Sequence, residues 1–179
     1  MKIWLISDTH FGHENMYKFT RADGTRVRAK FQNAKEGDEY MIHAWNSCVK
    51  PEDHIYHLGD VAFGPINIVT KLQGHKRLVL GNHDFEKMAG YHAAGFQKIY
   101  GMKRMGRLWL THAPIHPGQI GGKVLGNVHG HIHERPSPEG QYFNVSVEQL
   151  DYKPIQLDEI VSILEKRFAD ALDYAPITK

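Results

Sequence analysis

Cysteine is nearly absent. Cys48 stands alone among 179 residues, which excludes an internal disulfide and makes a reducing compartment the expectation. Long apolar runs are missing too: no stretch approaches the roughly 18 residues that a membrane helix needs. The opening Met-Lys-Ile-Trp-Leu-Ile-Ser-Asp turns polar too soon for a secretory leader, so a cytoplasmic protein without membrane contact is expected. Charge of one sign is also lacking. Lys and Arg number 22 against 20 Asp and Glu, a formal +2, too little to argue by itself for a nucleic-acid or membrane surface. There are no repeats, low-complexity tracts or linker-like stretches, and the length fits a single domain over residues 1–179. Nothing in the pattern specifies an oligomeric state. What the chain does have is histidine, 13 of them.

Apolar runs and their spacing predict an α/β fold. Lys2–Ser7 contains the contiguous Ile3, Trp4, Leu5 and Ile6, as in a strand covered on both faces. Phe11–Phe31 is polar and reads as a surface loop or short hairpin over the site. Ala34–Val49 spaces Tyr40, Met41, Ala44, Trp45 and Cys48 by threes and fours, a helix with Gly37 weakening its first turn. His54–Leu58 follows as a strand in which His57 is packed, Pro65–Leu72 as a crossover helix and Lys76–Leu80 as the next strand, a βαβ rhythm. Glu86–Ala94 is expected to be helical. Lys98–Met102 and Arg107–Thr111 are expected to form a hairpin, Pro117–Gly126 a glycine-rich loop, and Gly126–His129 and Tyr142–Val147 further strands. Leu157–Phe168 is an amphipathic helix with Asp158 as its N-cap.

Polar clusters follow these runs one after another. Asp8-Thr9-His10 leaves the first strand, Gly59-Asp60 the second, and Gly81-Asn82-His83-Asp84 the third; His112 and then Gly130-His131-Ile132-His133 come later. Alternate residues on an extended chain point to one side, so Asp8 and His10, like His131 and His133, are expected to converge. Open α/β sheets collect their sites at the carboxyl ends of strands. Several imidazoles with two carboxylates exceed the four ligands of one tetrahedral zinc. They suit two ions about 3.5–4 Å apart that share a carboxylate. Oxygen mixed with imidazole favours Mn, Fe, Zn or Ni over Ca or Mg, and buried aspartates need a cation or a paired base in any case.

The order Asp8-x-His10, Gly59-Asp60, Gly81-Asn82-His83-Asp84, His112, Gly130-His131-x-His133 resembles the calcineurin-like metallophosphoesterase family over residues 7–133. Ile6–Asn15, Trp45-Asn46 and Tyr152-Lys153-Pro154-Ile155 are also similar to a subgroup of small, capless bacterial and phage phosphoesterases. The resemblance implies a four-layer α/β/β/α sandwich with its site at the strand carboxyl ends. It implies two divalent or trivalent metal ions, manganese first and iron, zinc or nickel as alternatives. Asp8, His10 and His133 would hold the first ion and Asn82, His112 and His131 the second, with Asp60 between them. The reaction implied is hydrolysis of a phosphomonoester or phosphodiester, small or nucleotide-like, by a metal-bridging hydroxide. His83 would protonate the leaving group, and Asn82 would also touch a phosphoryl oxygen.

One departure bears on substrate. Where phosphoprotein phosphatases of the family carry an Asp that orients the catalytic His and an Arg that clamps phosphate, this chain has Phe63 and Gly64. Asp84 is then the candidate for orienting His83, and His13, Arg21 and Arg28 are candidates for the clamp. A nuclease of the same fold, with nucleic acid as substrate, is the alternative, resting on the basic stretches Arg21–Lys30 and Lys103–Arg107. A non-catalytic scaffold is the third reading, disfavoured because every ligand position of the pattern is filled.

Overall fold

The computed structural model describes residues 1–168; the remainder of the expected domain, 169–179, lies outside the described residues. In chain order the elements are β1 (Ile3–Ile6), α1 (Ala34–Cys48), β2 (His54–His57), β3 (His75–Val79), α2 (Met88–Ala93) and β4 (Phe96–Tyr100). Then come β5 (Lys103–Met105), β6 (Leu108–Leu110), β7 (Gly126–His129), β8 (Tyr142–Asn144), β9 (Ile155–Gln156) and α3 (Leu157–Arg167). They make two sheets. The first has the order β4-β3-β2-β1-β9 and the second β5-β6-β7-β8. Strands β1 to β4 are parallel, with Ile3 opposite His54 and His54 opposite His75; β6, β7 and β8 are parallel as well.

Strand periodicity explains the layering. On β1, Trp4 and Ile6 enter one apolar cluster with Met41 and Trp45 of α1, while Leu5 enters another with Leu108, Leu110 and Val128 of the second sheet. Neighbouring Ile55 and Tyr56 divide in the same way. A strand clothed on both faces has no reason to alternate, hence the unbroken Ile-Trp-Leu-Ile. Helices α1 and α2 cover the outer face of the first sheet. Helix α3 drives Ile160 and Leu164, both fully buried, into the inter-sheet core. The result is an α/β sandwich of two parallel-rich sheets with packed helices, as the resemblance implies.

Several local expectations shift. Helix α1 is capped by Asn33, whose side chain accepts the Glu36 N–H at 3.0 Å, while the Glu36 carboxylate accepts the Gln32 N–H. Gly37 is where the Tyr17 ring lies against the helix; a Cβ there would overlap it. The crossover at Ile66–Lys71 is a 3-10 helix. Residues 98–102 do not form a hairpin with 107–111. Instead β4 joins β3 in the first sheet, and the chain crosses at Gly101-Met102 so that β5 becomes the partner of β6. Strand β8 ends at Asn144, three residues early, and Val147–Gln149 is a 3-10 turn. Asp158 is not the N-cap of α3; Gln156 occupies that place without a side-chain bond, and Asp158 sits in the first turn, where its negative charge complements the positive end of the helix dipole.

Candidate metal centre

Because β1, β2 and β3 are parallel and share one register, their carboxyl ends lie along a single edge. Asp8, Asp60 and Asn82 leave from there. His112 follows β6 and His131 and His133 follow β7, from the facing sheet. The two sheets are stitched together at this edge by a bridge between Ser7 and Ser146 and by the Ser7 N–H on the Val145 carbonyl at 2.9 Å.

The donors meet, though not by strand alternation. Asp8, His10, Asp60, His131 and His133 all have φ between 48° and 70°, left-handed backbone that non-glycine residues rarely adopt and that costs about 1–3 kcal/mol each. The chain turns sharply at each of them and aims the side chain back over the strand end. Only Asp151 and Tyr152 share this conformation among the other described non-glycine residues. Close approach of the loops completes the arrangement. A Cβ on Gly130 would strike Ser7 Oγ and Asp8 Oδ2, and one on Gly81 would strike the Asp60 carboxylate.

Two sets of donors result. Asp8, His10 and His133 form one, with His10 Nε2 and His133 Nε2 at 4.0 and 3.9 Å from Asp8 Oδ1. In the second, His112 Nε2 lies 2.9 Å from Asn82 Oδ1 and 3.2 Å from His131 Nδ1. Asp60 Oδ2 stands between them, 3.6 Å from His10 Nε2 and 3.4 Å from His112 Nε2. Ligands about 2.0–2.1 Å from a tetrahedral ion are about 3.3 Å from one another, so both sets have the spacing of ligands around a cation. Asp8 Oδ1 and both ring nitrogens of His10 are buried without a hydrogen-bond partner. Orphaned buried donors and acceptors of this kind require an explanation, and metal ligation supplies one.

Charge gives the same answer. Asp8, Asp60 and the Glu148 side chain are buried together against a single guanidinium, that of Arg28, which leaves the centre short of positive charge. Burial pushes the Asp8 carboxyl above its ordinary range, against the pull of His133 and His112. Burial drives the His10 imidazole down to about 2, keeping it neutral and able to ligate. Burial also opposes ionisation of Asp60, but the His112 hydrogen bond and charge, the His83 N–H and His10 prevail and hold it at about 2.

All seven expected ligands therefore gather at one edge. The other candidates distribute differently. His83 is half-exposed at the rim, its backbone N–H on Asp60 Oδ1 at 2.8 Å. Asp84 does not orient the His83 ring. Its carboxylate accepts the N–H groups of Asp60, Val61 and Gly81 at 2.8–3.0 Å, so it pins two strand-end loops together. Arg28 is not a phosphate clamp: it is fully buried, donating to Glu148 Oε1 at 2.8 Å and to the Thr9 and Asp8 carbonyls at 3.0 and 2.7 Å. Arg21 spends its guanidinium on Thr25 and on the carbonyls of Arg26 and Val27. His13 does reach the centre, its ring 5.7 Å from that of His10. His57 is packed as expected, bonded to Thr9 Oγ1 at 2.9 Å.

Two participants escaped the reading of the sequence. Glu148 Oε2 lies 3.2 Å from His133 Nδ1, turning Nε2 toward Asp8; Ser146 Oγ donates to Asp8 Oδ2 at 2.9 Å. Glu148 follows a strand in Val-Ser-Val-Glu just as Asp8 and Asp60 do, and that was the available signal. Ser146 had none.

Comparison with known proteins points to one family. An uncharacterized protein of Methanocaldococcus jannaschii is 32% identical over 92% of each chain. A gene 66 protein of Mycobacterium phage L5 is 31% identical over 45% of this chain and 39% of its own. The crystal structure of a protein of unknown function from Aquifex aeolicus superposes with a TM-score of 0.66 at 27% identity, covering 90% of this chain and 98% of that one. The model of the calcineurin-like phosphoesterase family matches residues 1–178. No helix among the described residues is long and apolar enough to cross a membrane. With its ligand pattern, sandwich and family match in agreement, the chain belongs to the calcineurin-like phosphoesterase family.

Proposed function

We propose that the protein is a dinuclear-metal hydrolase of small phosphomonoesters or phosphodiesters. The family implies metal-dependent cleavage of a phosphoester; the dinuclear reading rests on Asp60, whose Oδ2 faces His10 Nε2 at 3.6 Å and His112 Nε2 at 3.4 Å. Asp8, His10 and His133 would hold one ion, Asn82, His112 and His131 the other. Mixed carboxylate, amide and imidazole donors suit Mn, Fe, Zn or Ni, with manganese the first to try. Bound there, two cations supply charge to the phosphoryl oxygens and acidify a shared water. The residues of the chain do the rest. Asn82 and the rim imidazoles orient the phosphoryl group, and the half-exposed His83 donates a proton to the departing oxygen. Phe63 roofs His10 with ring centroids 5.2 Å apart and keeps bulk water from that side.

The nuclease alternative loses its footing in the basic stretches. Arg21, Arg26 and Arg28 are bonded within the loop or the core, and Lys30 pairs with Asp151. Arg104 lies over the Trp109 ring, and Arg107 pairs with Glu165. Cations engaged in this way favour a small ester over a long backbone.

The experiment is metal analysis of the purified protein together with assays on p-nitrophenyl phosphate and its bis ester with added Mn²⁺. Two ions per chain and turnover of one ester are expected. His83→Ala should lower turnover by about 10²–10⁴-fold with both ions retained. Failure to cleave any phosphoester with any of the four metals overturns the proposal.

A further inference from the structure

Among the described Phe, Tyr and Trp side chains, only those of Phe19, Phe63 and Phe85 are exposed, at 49%, 44% and 81%. All three surround the metal centre. Phe85 stands edge-on to His83 with centroids 6.0 Å apart. Phe63 lies 5.0 Å from His83 on one side and stacks on His13 at 3.9 Å and 15° on the other. Phe19 meets His13 edge-on at 6.1 Å. Leaving large apolar rings in water is unfavourable, and grouping them at one place marks a binding surface. Phe19, His13 and Phe63 form a corner of a cavity of about 440 Å³ whose floor is His10, His83 and His133.

Two further observations narrow what fits. The described residues lining this cavity contain one permanent cation, Arg135 at the rim, because Arg28 is sealed in the core. Beyond what the metal centre itself does for phosphate, discrimination among substrates therefore has to come from the part that is not phosphate. The volume also lies in the range that encloses one small ligand, and a formal charge of +2 offers little to a long polyanion. Planar rings settle on aromatic corners by stacking and edge-to-face contact.

Building on the phosphoesterase reading, we infer that this corner is a leaving-group subsite for a planar aromatic ring, and that the substrates are small nucleoside phosphoesters. The base packs on Phe19 and Phe63, and the ester oxygen reaches His83. The phosphorus–oxygen bond to the nucleoside breaks, water supplies the new oxygen on phosphorus, and the nucleoside oxygen leaves with a proton from His83.

The test compares AMP with ribose 5-phosphate, which share a leaving oxygen and differ in the base. The manganese-loaded protein should show kcat/KM about tenfold or more higher for AMP, the size of one base–aromatic stack. In Phe19→Ala and Phe63→Leu the ratio should fall toward one; Phe19 is half-exposed, so its loss does not threaten the fold, and melting curves verify this. A second readout needs no turnover: saturation-transfer NMR of adenosine with the metal-free protein should give ring signals that Phe19→Ala removes. A ratio of one in the wild type, a ratio unchanged in both variants, or absent adenosine signals overturns the subsite while leaving the hydrolase standing. Adenosine binding without turnover of any ester overturns the hydrolase and leaves the subsite. Strong preference for oligonucleotides, falling steeply with salt, overturns the small-substrate claim in favour of nucleic acid.

Discussion

In the set of Asp8, His10 and His133, Asp8 and His133 are braced from behind, whereas the side chains of Asn82, His112 and His131 lean largely on one another. Behind the first group stand Ser146 on Asp8, Glu148 on His133, and Arg28 joining Glu148 to the Asp8 and Thr9 carbonyls. In the second, His112 is anchored through Nδ1 to the Leu58 carbonyl at 2.8 Å. Asn82 is exposed and His131 half-buried; their side chains bond to His112 itself, and the His131 backbone N–H donates to Asp8 Oδ2 at 2.9 Å. A carboxylate behind a ligating imidazole fixes its tautomer and raises its basicity. One half is thus built as a permanent seat and the other as the face that meets solvent and substrate.

That contrast can be broken at several points. The largest effect is expected at Asp60, which serves both halves. Asp60→Asn should lower turnover by more than the roughly 100-fold typical of a supporting carboxylate, and elemental analysis should find both ions depleted. Glu148→Gln should act on one half only. Metal affinity at the braced set should weaken by about 10–100-fold with the other set unchanged, read as one shifted step in a calorimetric titration. The same change leaves the Arg28 charge buried without its partner, so a loss of about 3–5 kcal/mol in denaturant unfolding should accompany it. Chelator titration of the wild type should then remove one ion equivalent well before the other, the open half first; simultaneous loss would erase the distinction.

The smallest effect lies outside both halves, at Asp38 on α1. Its Oδ2 accepts the Gly12 N–H at 2.9 Å while Oδ1 is buried without a partner, and burial raises its carboxyl to about 6. The folded chain then holds this proton more tightly than the unfolded chain. The resulting stabilisation is present below about pH 4 and is lost as pH rises through about 6. Asp38→Asn keeps an acceptor for Gly12 and removes the buried charge. It should raise stability on the order of 1 kcal/mol at pH 8 and leave it unchanged near pH 4, measured by urea midpoints at the two values.

The contrast also marks how far the residues could be read in advance. Apolar runs followed by Asp, Asn or His located every strand of the site, since burial on both faces demands the first and ligation the second. The convergence of Asp8 with His10, and of His131 with His133, was expected for the wrong reason. Strand alternation was invoked, while left-handed turns do the aiming, and a residue's backbone angle leaves no trace in its identity unless it is glycine. Arg28 was drawn to the substrate by its charge and is in fact the buried counterion of Glu148, a pairing 120 residues apart that no local pattern encodes. The hairpin expected of Lys98–Met102 and Arg107–Thr111 follows from two strands being adjacent in sequence, but the turn at Gly101-Met102 sends the chain to the other sheet, so β4 pairs with β3 and β5 with β6.

The left-handed turns have a consequence for residues that ligate nothing. They bring the Gly130 backbone against Ser7 Oγ and Asp8 Oδ2 and the Gly81 backbone against the Asp60 carboxylate, with no room for a Cβ at either place. An alanine at either glycine should therefore displace a carboxylate of the centre as surely as a change in the carboxylate itself.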